Sequence, residues 1–286
     1  MTVDHKTKVA GVIGWPISHS KSPKVHSYWL DKYSINGAYL PLSVAPERLD
    51  QALCGLSALG FSGVNITIPH KVAALEICDT IDEIAQRIGA VNTVTVCKDG
   101  SLTGTNSDAY GFIENLQRNS AWSASIGPAV ILGAGGAARA ISVALSDAGV
   151  KEIRIINRTK EHAESLIKIS KIENAQALNW EERHEALDGA GLLVNSTKLG
   201  MVNCETLDIN LSALPNTAVV NDIVYAPLLT ELLKKSKERG HEIVDGLGML
   251  LHQARLGFKL WYGVNPEVNN EQRLHVLGRD LDKTGL

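Results

Sequence analysis

Four cysteines in 286 residues, Cys54, Cys78, Cys97 and Cys204, form no C-x-x-C pair and no Cys/His cluster at metal-ligand spacing. Neither a disulfide framework nor a zinc or other metal site is expected, and a reducing cytoplasm is the compartment that fits. Basic runs are missing as well. With 28 Lys+Arg against 31 Asp+Glu the formal net charge is -3, which leaves no electrostatic footprint for nucleic acid or an anionic membrane. Long apolar runs are also lacking: no window approaches the ~18 apolar residues of a membrane span. The amino-terminal MTVDHKTKVAGVIG holds only a short apolar stretch, which is not the pattern of an export signal. The sequence contains no internal repeat and no low-complexity tract. What these absences lead us to expect is a soluble, unexported chain whose partners are small molecules; they leave monomer and homodimer equally open.

What is present is alternation. VAGVI (9–13), a helix from near Pro23, AYLPLSV and a helix from about Pro46 open a series of short β-rich runs and longer helical patterns, which predicts parallel sheets covered by helices. The length suits two domains, each able to bury its own core. The small, polar stretch NSAWSASIGP (119–128) reads as a loop entering a new sheet, whose strands are AVIL, EIRII, GLLVN, TAVVN and HEIVD. After them GLGMLLHQARLGFKLWY (246–262) and NNEQRLHVLGRDLD (269–282) carry apolar residues at helical spacing with no strand to follow. These helices are expected to return to the first domain. The expected boundaries are 1–107 with 246–286 for one domain and 108–245 for the other.

ILGAGGAAR (131–139) places G-x-G-x-x-A directly after a strand and at the start of an apolar-periodic helix. Gly133 permits the tight turn, Gly135 lets backbone approach a pyrophosphate, Ala138 permits close packing, and the helix N-terminus offers N–H groups to the anion. The strand and helix context makes this a dinucleotide site rather than an idle turn. The next strand ends in Asn157, Arg158 and Thr159, where an NAD site usually has a carboxylate for the ribose hydroxyls. Arg158 can stack on adenine and pair with a 2′-phosphate, so the expected cofactor is NADP.

Four further segments, GWPISHSKSP (14–23), NITIPHK (65–71), GAVNT (89–93) and GTNSDAYG (104–111), each follow an expected strand. They are expected to gather at the carboxyl ends of one sheet, where open α/β sheets bind ligands. Together they supply hydroxyls (Ser20, Ser22, Thr67), amides (Asn65, Asn92), one lysine and one aspartate, a set for a small, oxygen-rich molecule. Each has a plainer reading: Ser22 before Pro23 makes a helix N-cap, and Asp108 makes another.

With these motifs in this order, together with DGLGMLLHQA, nearly the whole chain resembles the shikimate dehydrogenase family. The resemblance implies an N-terminal α/β substrate domain completed by the C-terminal helices, and a Rossmann-type NADP domain between. It implies reversible reduction of 3-dehydroshikimate to shikimate. By position, Ser20 and Ser22 resemble the pair that binds the substrate carboxylate, with Tyr225 adding a phenol; Asn65, Thr67, Asn92, Asp108 and Gln253 resemble the groups that bind ring hydroxyls. Lys71 resembles the catalytic lysine with Asp108 as partner. A lysine ammonium is the proton donor that ketone reduction requires, and shikimate oxidation needs the amine neutral, so oxidation is expected to speed up at alkaline pH. For the cofactor the resemblance implies Gly133, Ala134, Gly135, Gly136, Ala137, Asn157, Arg158, Thr159, and backbone near Ile223 and Gly246. Glu83 is a weaker candidate whose ordinary role is a solvated helix face. His70 and His252 read as scaffold.

Two positions depart from the family pattern. His162 stands where many relatives have a second arginine for the 2′-phosphate, leaving one permanent cation fewer, and Lys198 stands in NSTKLGM where relatives tend to carry serine. The nearest rival is a quinate or dual quinate/shikimate dehydrogenase, whose larger substrate asks for a wider pocket near the serines. A non-catalytic NADP-binding module is a rival of another class, and the presence of both Lys71 and Asp108 argues against it.

Overall fold

A computed structural model describes residues 4–278, and the chain divides into two compact units: residues up to Ser107 together with Leu250 onward, and Asp108–Met249. Each contains a six-stranded sheet. Among the described residues no helix is long and apolar enough to cross a membrane.

The first unit runs β1 (Lys8–Gly14), α1 (Ser22–Lys32), β2 (Gly37–Ser43), α2 (Leu49–Ala58), β3 (Phe61–Ile66), α3 (Ala74–Ile77), β4 (Thr80–Ile81), α4 (Glu83–Ile88), β5 (Thr93–Val96) and β6 (Leu102–Thr105). The strand order is β2-β1-β3-β5-β6-β4. β1 lies parallel to both β2 and β3, since α1 and α2 carry the chain back across the sheet between strands. The expectation of a wholly parallel sheet fails at β5, which is antiparallel to β3 and to β6. The connection from β5 to β6 is a tight turn closed by Cys97 N–H to Ser101 O at 2.8 Å. That is too short for the crossover a parallel neighbour needs. Ile13, Leu53, Val64, Ile66 and Val94 form the core on one side of this sheet.

Of the C-terminal helices, α9 (Leu247–Tyr262) from Leu250 onward and α10 (Asn270–Leu277) belong to this unit, while Leu247–Met249 at the start of α9 belong to the other, so the division lies at 250 and not at the expected 246. Trp261 Nε1 donates to Val94 O at 3.2 Å, Tyr262 Oη to Ala38 O at 2.8 Å, and Trp29 Nε1 to Glu267 O at 3.1 Å. The last helix was expected to extend to Asp282; positions 279–282 lie outside the described residues.

The second unit opens with α5 (Asp108–Asn119) and continues β7 (Ala129–Leu132), α6 (Gly136–Asp147), β8 (Ile153–Asn157), α7 (Lys160–Ser170), β9 (Ala175–Asn179), β10 (Leu192–Asn195), β11 (Val219–Asp222), α8 (Glu231–Glu238) and β12 (Glu242–Val244). All neighbours in the order β12-β11-β10-β7-β8-β9 are parallel. β7, β10 and β11 are buried along their whole length, as strands covered on both faces must be, and this is why they read as continuous apolar runs. β9, AQALN, was not among the expected strands: it is the sheet edge, half-exposed throughout, and carries no continuous apolar run. From β7 the chain winds outward through β8 to β9, then returns to the other side of β7 as β10 and β11. The carboxyl end of β7 is therefore the topological switch point of the sheet, the place where doubly wound folds bind ligands.

Candidate active site

In the first unit the ends of the neighbouring strands hold the site loops against each other. Thr67 N–H donates to Ile13 O at 2.9 Å and Trp15 N–H to Ile68 O at 3.1 Å, so the segment after β3 lies along the segment after β1. Val91 N–H donates to Lys71 O at 2.8 Å, which fixes the end of NITIPHK beside GAVNT. Ser20 Oγ accepts from Ser22 N–H at 3.3 Å at the start of α1. The plainer reading of Ser22 as the N-cap does not hold: Lys21 is the N-cap, without a side-chain cap bond, and Ser22 is the first helical residue and is buried.

A buried amide network links these loops. Asn65 Nδ2 donates to Asn92 O and to Thr93 Oγ1, each at 3.1 Å, while its Oδ1 accepts from Tyr39 Oη at 2.7 Å. Both amide hydrogens are thus committed, leaving Asn65 one acceptor lone pair for a ligand. Asn92 Oδ1 accepts from Ser107 N–H at 2.9 Å and from Thr93 Oγ1 at 2.9 Å, and its Nδ2 donates to Ser107 Oγ at 3.1 Å and reaches Gln253 Oε1 at 3.5 Å. Gln253, far along the chain on α9, is brought to GAVNT by the return of the C-terminal helices.

Tyr39 on β2 is a member of this network that reading the sequence missed. Burial first, and then the nearby Tyr262, keep the pKa of its phenol well above the ordinary value, against a smaller downward pull from Ser22. It is therefore a fixed donor. The Tyr39 ring stacks on His26 with centroids 3.8 Å apart. His26 is fully buried, neither of its nitrogens has a hydrogen-bond partner, and burial drives its pKa down to about 3. The only sequence signal for Tyr39 is a hydroxyl on an inward position of a strand, which becomes meaningful once β3 is known to lie two strands away.

Lys71 is half-buried in the turn after β3. Asp108, directly after Ser107, is buried at the first turn of α5, where a carboxylate is favoured by the helix N-terminus. His70 Nε2 lies 2.8 Å from Val44 O, a scaffold bond between the ends of two segments. Glu83 is exposed at the start of α4, where Asp82 rather than Glu83 caps the helix. Among the described residues no group of three or more His, Cys, Asp or Glu is arranged to hold a metal ion.

In the second unit Gly133 has φ +106° and a side chain there would meet Ser196 Oγ at 2.8 Å, so the turn from β7 to α6 admits only glycine. Gly135 is the N-cap of α6, with no side-chain cap bond, and nothing lies within 4 Å of where a side chain would project. The twelve-residue helix thus begins with no side-chain cap and with open space at its N-cap, an arrangement that can accept a phosphate. Ala134, Gly136 and Ala137 are half-buried around it, and Ala138 is fully buried against the sheet. At the end of β8, Asn157 Nδ2 donates to Thr159 O at 2.8 Å, and Arg158 and Thr159 are exposed beside Lys160. No carboxylate occupies this strand end. His162 and Lys198 are both exposed.

On the other side of β7 the loops that carry Ile223 and Tyr225 begin at Asp222, the buried last residue of β11. Burial raises its pKa to about 6, against the pull of donors from Thr230, Val224 and Asn195. A side chain at Gly246 would lie 2.1 Å from Ile223 O, so these two segments are in van der Waals contact through bare backbone.

Segments of both units match known protein families. Residues 12–94 match the family model of the shikimate dehydrogenase substrate binding domain, and residues 117–223 match that of shikimate / quinate 5-dehydrogenase. The chain is 52% identical over 273 residues to a shikimate dehydrogenase (NADP(+)) of Paramagnetospirillum magneticum, covering 95% of this chain and 99% of the relative. Among solved structures, a quinate dehydrogenase from Corynebacterium glutamicum in complex with NAD is similar with TM-score 0.88 and 29% identity, covering 95% of this chain and 99% of that one. A shikimate 5-dehydrogenase from Thermus thermophilus in complex with NADP(H) and shikimate is similar with TM-score 0.83 and 36% identity, covering 94% and 98%.

Proposed function

The chain belongs to the shikimate dehydrogenase family, and from that premise we propose that it catalyses the reversible NADPH-dependent reduction of 3-dehydroshikimate to shikimate, an oxidoreductase step on a CH–OH group in aromatic amino acid biosynthesis. The observation that carries this reading is the pairing of two chemistries in one chain. The first unit gathers neutral donors and acceptors, Ser20, Ser22, Asn65, Asn92 and Gln253, on strand ends, helices and loops, with Lys71 in the turn after β3 bonded to the segment that carries Asn92. The second presents an uncapped, glycine-led helix with a cation and no carboxylate at the adjoining strand end.

NADP suits the residues present: the open space at Gly135 receives a pyrophosphate that a Cβ would crowd, and Arg158 supplies positive charge for a 2′-phosphate. We assign its contacts to Gly133, Ala134, Gly135, Gly136, Ala137, Asn157, Arg158, Thr159, and backbone at Ile223 and Gly246, with Glu83 as a peripheral contributor. When bound, NADPH supplies the hydride.

The chain's own residues do the rest. Ser20, Ser22 and the Tyr225 phenol hold the substrate carboxylate by neutral hydrogen bonds, while Asn65, Thr67, Asn92, Asp108 and Gln253 fix the ring hydroxyls. As the ketone oxygen gains negative charge, the Lys71 ammonium stabilises it and transfers a proton to it from Nζ; Asp108 shares the acid–base work. In the oxidative direction a neutral Lys71 takes the hydroxyl proton. The protein works as a cytoplasmic monomer or homodimer.

Quinate is the second substrate to consider, since a quinate dehydrogenase is similar over 95% of the chain. Turnover measured with shikimate or quinate, each with NADP+ or NAD+, tests both readings. The expected result is fastest turnover with shikimate and NADP+. A preference for quinate or NAD+ would overturn the substrate or cofactor assignment, and no turnover with any pair would overturn the enzymatic one.

A further inference from the structure

Asp222 is a buried carboxylate that the reaction itself does not employ. Its Oδ1 accepts from Asn195 Nδ2 and from Val224 N–H, both at 3.0 Å, and its Oδ2 accepts from Thr230 Oγ1 at 2.7 Å. Thr230 Oγ1 in turn accepts from Leu233 N–H at the start of α8. Asn195, the last residue of β10, uses its Oδ1 for Thr197 N–H and Thr197 Oγ1, and its Nδ2 also donates to Leu199 O. One carboxylate therefore ties together the loop after β10, the loop after β11 and the start of α8.

What those loops border follows from the strand order. The glycine turn that takes the pyrophosphate lies at the end of β7, and Arg158, which takes the 2′-phosphate half, lies at the end of β8 on one side of it. The other half of a dinucleotide must then extend over the ends of β10 and β11, where Asn195 and Asp222 stand. Ser196, next to Asn195, donates to Leu132 O at 2.6 Å and abuts Gly133, while Ile223, next to Asp222, presses its carbonyl on Gly246.

Resting on the assignment of NADP to this unit, we propose that Asp222 is a positioning residue for the nicotinamide half of the cofactor, holding the two loops after β10 and β11 at a fixed spacing through Asn195, Val224 and Thr230. It touches neither cofactor nor substrate. Misplacing a reacting ring slows transfer without weakening the distant adenosine anchor.

The test compares binding of NADP+ with binding of adenosine 2′,5′-bisphosphate, which carries the adenosine half alone, in the full chain and in Asp222→Ala and Asp222→Asn. Asp222→Ala is expected to weaken NADP+ by about tenfold and to lower kcat by roughly 10- to 100-fold, with the bisphosphate changed by less than about twofold. Asp222→Asn is expected to restore NADP+ affinity, because its amide oxygen accepts from Asn195 and Val224 and its amide nitrogen donates to Thr230 Oγ1. If Asp222→Ala does not fold, Thr230→Val, which removes one donor to the carboxylate, is expected to show the same split with a smaller loss. Equal weakening of both ligands, or unchanged NADP+ binding and turnover in a folded variant, overturns the proposal. An unaltered protein that binds neither ligand overturns the NADP assignment, and the proposal with it.

Discussion

Acidification below pH 6.5 is expected to destabilise the first unit by about 1.4 kcal/mol per pH unit through one buried imidazole. His26 is fully buried among Tyr39, Trp29, Phe258 and Trp261, and burial lowers its pKa from 6.5 to about 3. The unfolded chain takes up a proton near pH 6.5 while the folded one does not until about pH 3. The stability this group contributes is therefore complete above pH 6.5 and is lost as pH falls toward its folded pKa. Between pH 6.5 and pH 5 the loss comes to about 1.6 kcal/mol, the slope reaching its full value only well below pH 6.5. His26→Phe keeps a flat ring against Tyr39 and removes the titration. Urea unfolding followed by tryptophan fluorescence, with Trp29 and Trp261 beside the site, should show the natural protein losing that amount relative to the variant over this interval. Other titrating groups are common to both proteins and cancel in the difference. Parallel pH dependences in the two would refute the reasoning.

Three further outcomes are expected. Tyr39→Phe deletes the donor to Asn65 Oδ1 and the link to Ser22, so KM for shikimate should rise by roughly 5- to 10-fold while KM for NADP+ holds; steady-state kinetics would contradict this if only the cofactor KM moved. Gly133→Ala places a methyl 2.8 Å from Ser196 Oγ at a φ of +106°, and calorimetry should find NADP+ binding lost, whereas binding at the natural affinity would contradict the assignment of this turn. Arg158→Ala should weaken NADP+ by roughly 10- to 100-fold and NAD+ far less, the loss of a charge-assisted bond to phosphate; equal loss for both cofactors would place the arginine elsewhere.

The parts of this protein that were legible in sequence are those where backbone chemistry restricts the residue. GAGGAA after AVIL announces itself because Gly133 answers a turn that other residues cannot make and Gly135 leaves open space at the start of a helix. The central strands β7, β10 and β11 are legible because two covered faces demand unbroken apolar runs. Edge strand β9 is half-exposed and satisfies no such demand. The antiparallel placement of β5 was hidden because alternation of strands and helices does not reveal that one link is only a turn. Tyr39 and Asp222 were hidden for a different reason: each earns its role from partners on other segments, Asn65 and Ser22 for one, Asn195 and Thr230 for the other. In the chain a tyrosine in AYLPLSV is a strand residue, and an aspartate in NDIVYAP is a turn residue.

The central claim is that Lys71 handles the proton at the reacting oxygen. Its most direct test is shikimate oxidation by NADP+ in the natural protein and in Lys71→Ala, read from the absorbance of the reduced nicotinamide, with shikimate binding measured alongside. The account predicts a fall in kcat of roughly 100- to 10,000-fold with shikimate binding and folding retained. A folded, shikimate-binding variant that keeps its turnover would contradict it.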